Sequence, residues 1–397
     1  MLSKLFPRIK EKSLEEEVKS RDAFIYLDRC MLFMGWTEPN DKRWRLPYFL
    51  WSVFLVRVDL IYMPFAMTVE YVRGFKSFSA GEFLSSFEIG VNVYGSSIKC
   101  SCIMLGYKKM QKAKRLLDQL DESCVQDEEK ITVRRYVALA SLCYIIYHIL
   151  YSSFVALNFF YFLTIRSHAW RMYYPLVDSD DMFFLSSIAE GIMMTVCVTM
   201  DQCSDVCPLM YTLMARCHIT LLKKRLRNLR SVSEMTEDEH FVELTNCIKQ
   251  HRLILDYFKA SGSVFSRTVF VEFLLIGVVL GLSMINLMFF STLWTGFVTC
   301  LFMVDVCMET FPFCYVCNMI FDDCQELSDC VFQSNWVSAE PRYKSTMVHF
   351  LHNLQQPVVL LAGGVFPICL QTNLSMVKLA FSVVTIIKQF DLAARFQ

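Results

Sequence analysis

The sequence predicts an all-α membrane protein with seven transmembrane helices, a cytoplasmic N-terminus, an extracellular C-terminus and a helical cytoplasmic anchor region. Three observations carry this. Of 397 residues, 54% are apolar and 34 are Phe, and the mean hydropathy of +0.37 is too high for an ordinary soluble domain. Seven apolar runs, at 46–72, 83–105, 136–165, 182–213, 269–293, 297–321 and 358–387, each exceed the roughly 20 residues that cross a hydrocarbon core. Of the 39 Lys and Arg, 30 lie on one side of this pattern and 6 on the other, with Arg57, Lys99 and Lys378 inside the runs. Basic flanks stay in the cytoplasm, so the N-terminus is inside, and an odd number of crossings puts the C-terminus outside.

Taken in order, residues 1–45 form a cytoplasmic segment whose first 22 residues are charged and lack the apolar core of a signal peptide. Helices one to four occupy 46–214. The fourth run leads without a breaker into a basic stretch where Leu222, Leu226 and Leu229 recur at helical spacing, so the helix continues beyond the bilayer. Residues 215–268 form a cytoplasmic helical loop, and 269–321 hold helices five and six. Residues 322–362 form a second anchor stretch, 363–390 the final crossing and 391–397 an extracellular tail. Gln355-Gln356-Pro357 opens the seventh run and Gly363-Gly364 with Pro367 interrupts it, so a helix from Arg342 breaks before a crossing of about 365–389.

Net charge is zero, which removes any general attraction to nucleic acid. The 17 cysteines avoid the expected outer segments and read as small hydrophobes rather than a disulfide framework. Cys314 and Cys317 have CxxC spacing, and His349 and His352 share a helix face, but neither pair has further ligands in view, so no metal or cofactor is expected. No Gly-rich phosphate loop, GxSxG or HExxH is present, and no catalytic residue is assigned. The triplet Asn373-Leu374-Ser375 lies within an apolar run, where glycosylation cannot reach it. The basic stretch 223–230 suits calmodulin, acidic membrane lipid or a plain positive-inside flank.

Polar groups inside apolar runs mark the candidate sites. In the last run Gln371, Ser375, Lys378, Ser382, Thr385 and Gln389 fall on one stripe, with Met376, Ala380, Val383, Val384 and Ile387 opposite. Such a stripe either lines a water-filled conduit or is buried against sister helices through hydrogen bonds. Ile386 at its edge is the candidate apolar gate, and Lys378 either snorkels or pairs with a neighbouring acid. Glu190, Asp305 and Glu309 are singled out as intramembrane acids; the last two, one turn apart, either pair with Arg57 or Lys99 or line a cavity. The third run is aromatic on its outer half. Tyr147, Tyr151 and Phe154 there, with Val91 and Tyr94 of the second run and Ile188 and Ile192 of the fourth, lie at comparable depth and form the candidate pocket for a small apolar ligand; packing is the competing explanation.

Three segments now bear on identity: Phe332-Gln-Ser-Asn-Trp336, Gln355-Gln-Pro-Val-Val-Leu-Leu-Ala-Gly-Gly-Val-Phe-Pro367 and Lys378-Leu-Ala-Phe-Ser-Val-Val384. Together they resemble the C-terminal signature of insect odorant receptors, with Phe381-Ser382 where the family usually has Tyr-Ser. The resemblance implies an odour-tuning subunit of a ligand-gated, non-selective cation channel, assembled as a hetero-tetramer with a shared odorant co-receptor. It also implies small volatile odorants as ligands, the last helix as pore lining, the cytoplasmic helices as the subunit anchor, and the plasma membrane of olfactory neuron dendrites as the location. A gustatory receptor of the same superfamily is the nearest alternative, but Ser382-Val383 stands where that family has Thr-Tyr. A G-protein-coupled receptor would need an outside N-terminus and an acidic-Arg-Tyr triplet after the third run; here Arg134-Arg135-Tyr136 precedes it.

Overall fold

The computed structural model describes residues 17–389 apart from 38, 40, 76–77, 171, 175–181, 233 and 357, and apart from the side chains of Ala80, Val383, Ile386, Ile387, Lys388 and Gln389. The start of the N-terminal segment, the expected tail at 391–397, and the side chains of Ile386 and Gln389 therefore lie outside the described residues.

A 3-10 turn, Ser20–Phe24, leads into α1 (Ile25–Phe33), whose Leu27 and Met31 are buried. The first apolar run is one bent element, made of α2 (Arg45–Arg57), a π turn (Val58–Tyr62) and α3 (Met63–Gly74). Pro64 has no N–H for the Leu60 carbonyl, and the turn before it widens so that the Met63 N–H reaches Val58 O instead. Five longer helices follow: α4 (Ala80–Asp121), α5 (Asp127–Thr164), α6 (Phe183–Arg227), α7 (Glu237–Phe289) and α8 (Leu293–Phe332). Ser79 with Glu82 starts α4 and Thr236 with Glu239 starts α7, each through reciprocal side-chain and backbone bonds that satisfy N-terminal donors.

Among the described residues, five helical segments are long and apolar enough to cross a membrane: Lys42–Gly74, Asp127–Thr164, Phe183–Arg227, Glu237–Phe289 and Leu293–Phe332. The helices over the second and seventh runs are not in that set. In the second, Glu88, Lys99 and several serines dilute the apolar character; in the seventh, the side chains of Val383 and of Ile386 onward lie outside the described residues.

The last helix starts later than the expected crossing. α9 (Pro341–Leu354) ends before a two-stranded hairpin, β1 (Leu361–Ala362) against β2 (Phe366–Pro367), and α10 (Leu370–Gln389) starts only after it. A boundary at 362/363 thus cuts through the hairpin. Gly363 and Gly364 have φ of +60° and +75°, the left-handed region that reverses the chain rather than bending a helix. The hairpin is tied to α7: Gly363 N–H donates to Ser266 O at 2.8 Å and the Ser266 hydroxyl to Leu361 O at 2.5 Å.

The two largest of four core clusters among the described residues organise the bundle. The larger joins the N-terminal turn and α1 to the ends of α4 to α8 and to α9, and it absorbs Leu222, Leu226 and Leu229. The other gathers Met63, Phe154, Trp170, Val279, Phe302 and Ala380. The basic stretch at 223–230 is engaged within the chain: Lys223 meets Asp323 at 2.7 Å and Glu326 at 2.9 Å, Arg225 meets Glu129 at 2.5 Å, and Arg230 meets Glu237 at 2.5 Å. At the same end Ser20 ties the N-terminal turn down, its hydroxyl 2.6 Å from Asp121 Oδ1 and 2.9 Å from His218 Nε2. Burial there pushes the Asp121 carboxyl up to about 6.

Candidate ligand cavity and buried charge cluster

A charge deep in an apolar bundle persists only with a partner, and Lys99 of α4 has three. Its side chain is fully buried, with Nζ 2.9 Å from Asp201 Oδ1, 2.7 Å from Asp205 Oδ1 and 3.2 Å from Glu309 Oε2. Asp201 and Asp205 are one turn apart and so share a face of α6, while Glu309 comes from α8. The carboxylate oxygens of these acids converge as metal ligands would, and the Lys99 ammonium donates to them from the centre. The expectation that Glu309 pairs with Lys99 or Arg57 resolves to Lys99. Arg57 is exposed, and the Oδ1 of buried Asp305 has no hydrogen-bond partner among the described residues. Glu190 instead holds a loop, accepting the Trp170 backbone N–H and facing His168 Nδ1 at 2.9 Å.

Sequence reasoning missed Asp201, Asp205 and Glu272, which also lie in apolar runs. The signal was present: two aspartates at i, i+4 in one run and a lone lysine in another.

Tyr151 joins this cluster to a cavity. Its hydroxyl donates to Asp205 Oδ2 at 2.8 Å, and its ring lines a cavity of about 530 Å³ together with Ile188, Ile192, Trp51, Phe159 and Gln202. The walls come from the end of α1 (Phe33, Met34) and from the first, third and fourth apolar runs, and are almost wholly hydrocarbon, which suits a ligand recognised by shape.

The seven residues expected to form one pocket are not on one wall. Tyr151, Ile188 and Ile192 line this cavity. Phe154 packs on Phe302 at 5.2 Å and faces a smaller space of about 90 Å³, bordered by Glu88, Asn158, Asn286 and Trp294. Tyr147 is buried and donates to the Met308 carbonyl at 2.5 Å. Val91 packs against the Phe154 cluster, and Tyr94 is exposed beside α3, bonded to Thr68 Oγ1 at 2.5 Å.

On α10 the polar stripe turns away from the protomer. Gln371, Ser375, Lys378, Ser382 and Thr385 are exposed, while Ala380 and Val384 are buried. Ser375, Ser382 and Thr385 each donate to the carbonyl one turn earlier, at 2.8–2.9 Å, leaving oxygen lone pairs on the outer face. Leu374, Leu379 and Phe381 are exposed as well, so the free surface is polar along one line and apolar beside it. Asn373 is the polar residue of the inner face, its Nδ2 donating to Thr310 Oγ1 of α8 at 2.5 Å.

A helical bundle with five segments long and apolar enough to cross a membrane, enclosing an apolar cavity, is the architecture of a multi-pass membrane protein. The chain belongs to the 7tm odorant receptor family, whose model matches residues 79–381. It is 67% identical to odorant receptor 22a and 63% identical to odorant receptor 22b of Drosophila melanogaster, each over 100% of both chains. Its fold is similar to the insect olfactory receptor OR5 from Machilis hrabei, with a TM-score of 0.81 at 14% identity over 93% of this chain and 98% of that one. The same receptor in complex with eugenol matches with a TM-score of 0.78 at 15% identity, over 92% and 98%. The gustatory and G-protein-coupled readings are thereby set aside.

Proposed function

We propose that this chain is the odour-binding subunit of an odorant-gated, non-selective cation channel, assembled with the family co-receptor in a hetero-tetramer. It crosses the plasma membrane seven times, N-terminus inside and C-terminus outside, in the dendrites of olfactory sensory neurons. The observation that carries this reading is the outward polar stripe on α10. A line of lone pairs along a helix in the bilayer needs water or a neighbouring polar helix, and pores of identical geometry in several subunits supply both. The basic-residue asymmetry supports the orientation.

The ligand is a small volatile odorant held in the cavity beside Tyr151, Ile188 and Ile192; the eugenol complex of the structural neighbour supports a ligand of this size. The stretches 215–268 and 322–362 act as the subunit anchor, and Ile386 serves as the gate. The test is whole-cell recording with a panel of short-chain aliphatic alcohols, aldehydes, ketones and esters, together with eugenol. Cells expressing this chain with the co-receptor give panel-evoked cation currents. Currents of the same size from this chain alone, or from the co-receptor alone, would contradict the reading.

A further inference from the structure

A proline in the middle of α8 gives the tyrosine pair a purpose. Pro312 has no N–H, so the Met308 carbonyl four residues earlier lacks its helical donor. Tyr147 takes that place, its hydroxyl donating to Met308 O at 2.5 Å. Its ring stacks on Tyr151 one turn further along α5, with centroids 6.1 Å apart and planes 16° from parallel. Tyr151 is in turn both a wall of the 530 Å³ cavity and a donor to Asp205.

The two residues after Met308 are also held. Glu309 meets Lys99 of α4 at 3.2 Å, and Thr310 accepts from Asn373 of α10 at 2.5 Å. Three consecutive residues just before the proline are therefore gripped from three helices. Elsewhere α8 is stiffened by its own backbone ladder; here one rung is a side-chain hydroxyl, which can leave and return without breaking the ladder. A bend at this point is the cheapest deformation α8 has.

We propose that Tyr147 and Asn373 are positioning residues clamping a proline hinge in α8, and that a ligand displacing Tyr151 resets the bend at Pro312 and moves α10 through Thr310 and Asn373. The proposal rests on the channel reading above. It explains why a tyrosine hydroxyl is spent on a main-chain carbonyl inside the bundle, and why the inward amide of Asn373 faces the turn next to the hinge.

A double-mutant cycle tests it, using the full chain with the co-receptor, the strongest agonist of the panel, and currents normalised to surface labelling. Tyr147→Phe removes only the hydroxyl; Pro312→Ala returns a helical donor to Met308. Tyr147→Phe alone shifts the half-maximal concentration or maximal current by about tenfold, without reordering the panel. In the Pro312→Ala background the same change shifts it by less than about twofold. Equal shifts in both backgrounds overturn the hinge. If Pro312→Ala fails to reach the surface, the cycle of Thr310→Val with Asn373→Leu decides: each lowers the maximal current, and the pair lowers it no further. Additive losses there overturn the coupling to α10. A wild-type pair without panel-evoked current is the failure of the channel reading itself, whereas normal wild-type current with additive cycles rejects only the hinge.

Discussion

Lys99 Nζ lies 2.7 Å from Asp205 Oδ1, while the other oxygen of that carboxylate accepts the Tyr151 hydroxyl at 2.8 Å. One aspartate thus joins the buried ammonium of this cluster to the wall of the candidate ligand cavity. Lys99→Met would leave Asp201, Asp205 and Glu309 without their shared cation, and removing one partner of a buried ion pair costs about 3–5 kcal/mol. Surface expression of that variant falls sharply, and adding Asp205→Asn restores part of it. Surface biotinylation of the single and double variants measures both; wild-type surface levels for Lys99→Met would show that the cluster carries no stability.

In the cavity, Ile188 and Ile192 offer hydrocarbon and no hydrogen bond, so their effect is steric. Truncation to Ala removes contacts worth about 1–3 kcal/mol per ligand, depending on its shape. Ile192→Ala therefore reorders the panel, favouring bulkier members by about tenfold, while Val91→Ala, which lines neither cavity, leaves the order intact. Dose–response curves across the panel distinguish the two; reordering by Val91→Ala alone would move the site to the second helix.

Asp121 supplies a pH dependence at the end of the bundle where the N-terminal turn docks. Its folded pKa of about 6 lies above the unfolded value near 3.9, so the folded chain takes up a proton first as pH falls. This group's contribution is complete below the unfolded pKa and is lost as pH rises through about 6. The melting temperature of wild type relative to Asp121→Asn accordingly rises between pH 7 and pH 5 by the equivalent of about 1 kcal/mol. Melting curves of detergent-solubilised protein at the two pH values test it; a constant difference would mean that Asp121 does not titrate in that window.

Much of the architecture is legible in the sequence because it is local. Leucine spacing extends α6 to Arg227, the Thr236–Glu239 pair marks the start of α7, and the period of the last run assigns the outward and inward faces of α10. What is not legible is which face meets which helix. Tyr94 and Lys99 are five residues apart on α4, which is about 140° around a helix, so burying Lys99 forces Tyr94 outward. Nothing in the sequence says which of the two is buried until Asp201, Asp205 and Glu309 are brought together from separations of over a hundred residues. The same holds for Tyr147: helical spacing places it with Tyr151, but only the packing of α5 on α8 shows that it serves the carbonyl freed by Pro312. The hairpin at 361–367 was hidden for another reason: two glycines and a proline announce a break without saying whether the chain bends or reverses.

The central claim is that this chain conducts ions as well as binding odorants, and α10 tests it most directly. With the co-receptor held wild type, single cysteines at Gln371, Ser375, Lys378, Ser382 and Thr385 of this chain react with a water-soluble thiol reagent and block the panel-evoked current, while a cysteine at Ala380 does not. In the same cells Thr385→Glu shifts the reversal potential under a sodium-to-calcium gradient toward the calcium potential. A reversal potential unmoved by Thr385→Glu, with thiol reactivity spread evenly around the helix, would contradict the account and leave this chain a ligand-binding partner of a pore built entirely by others.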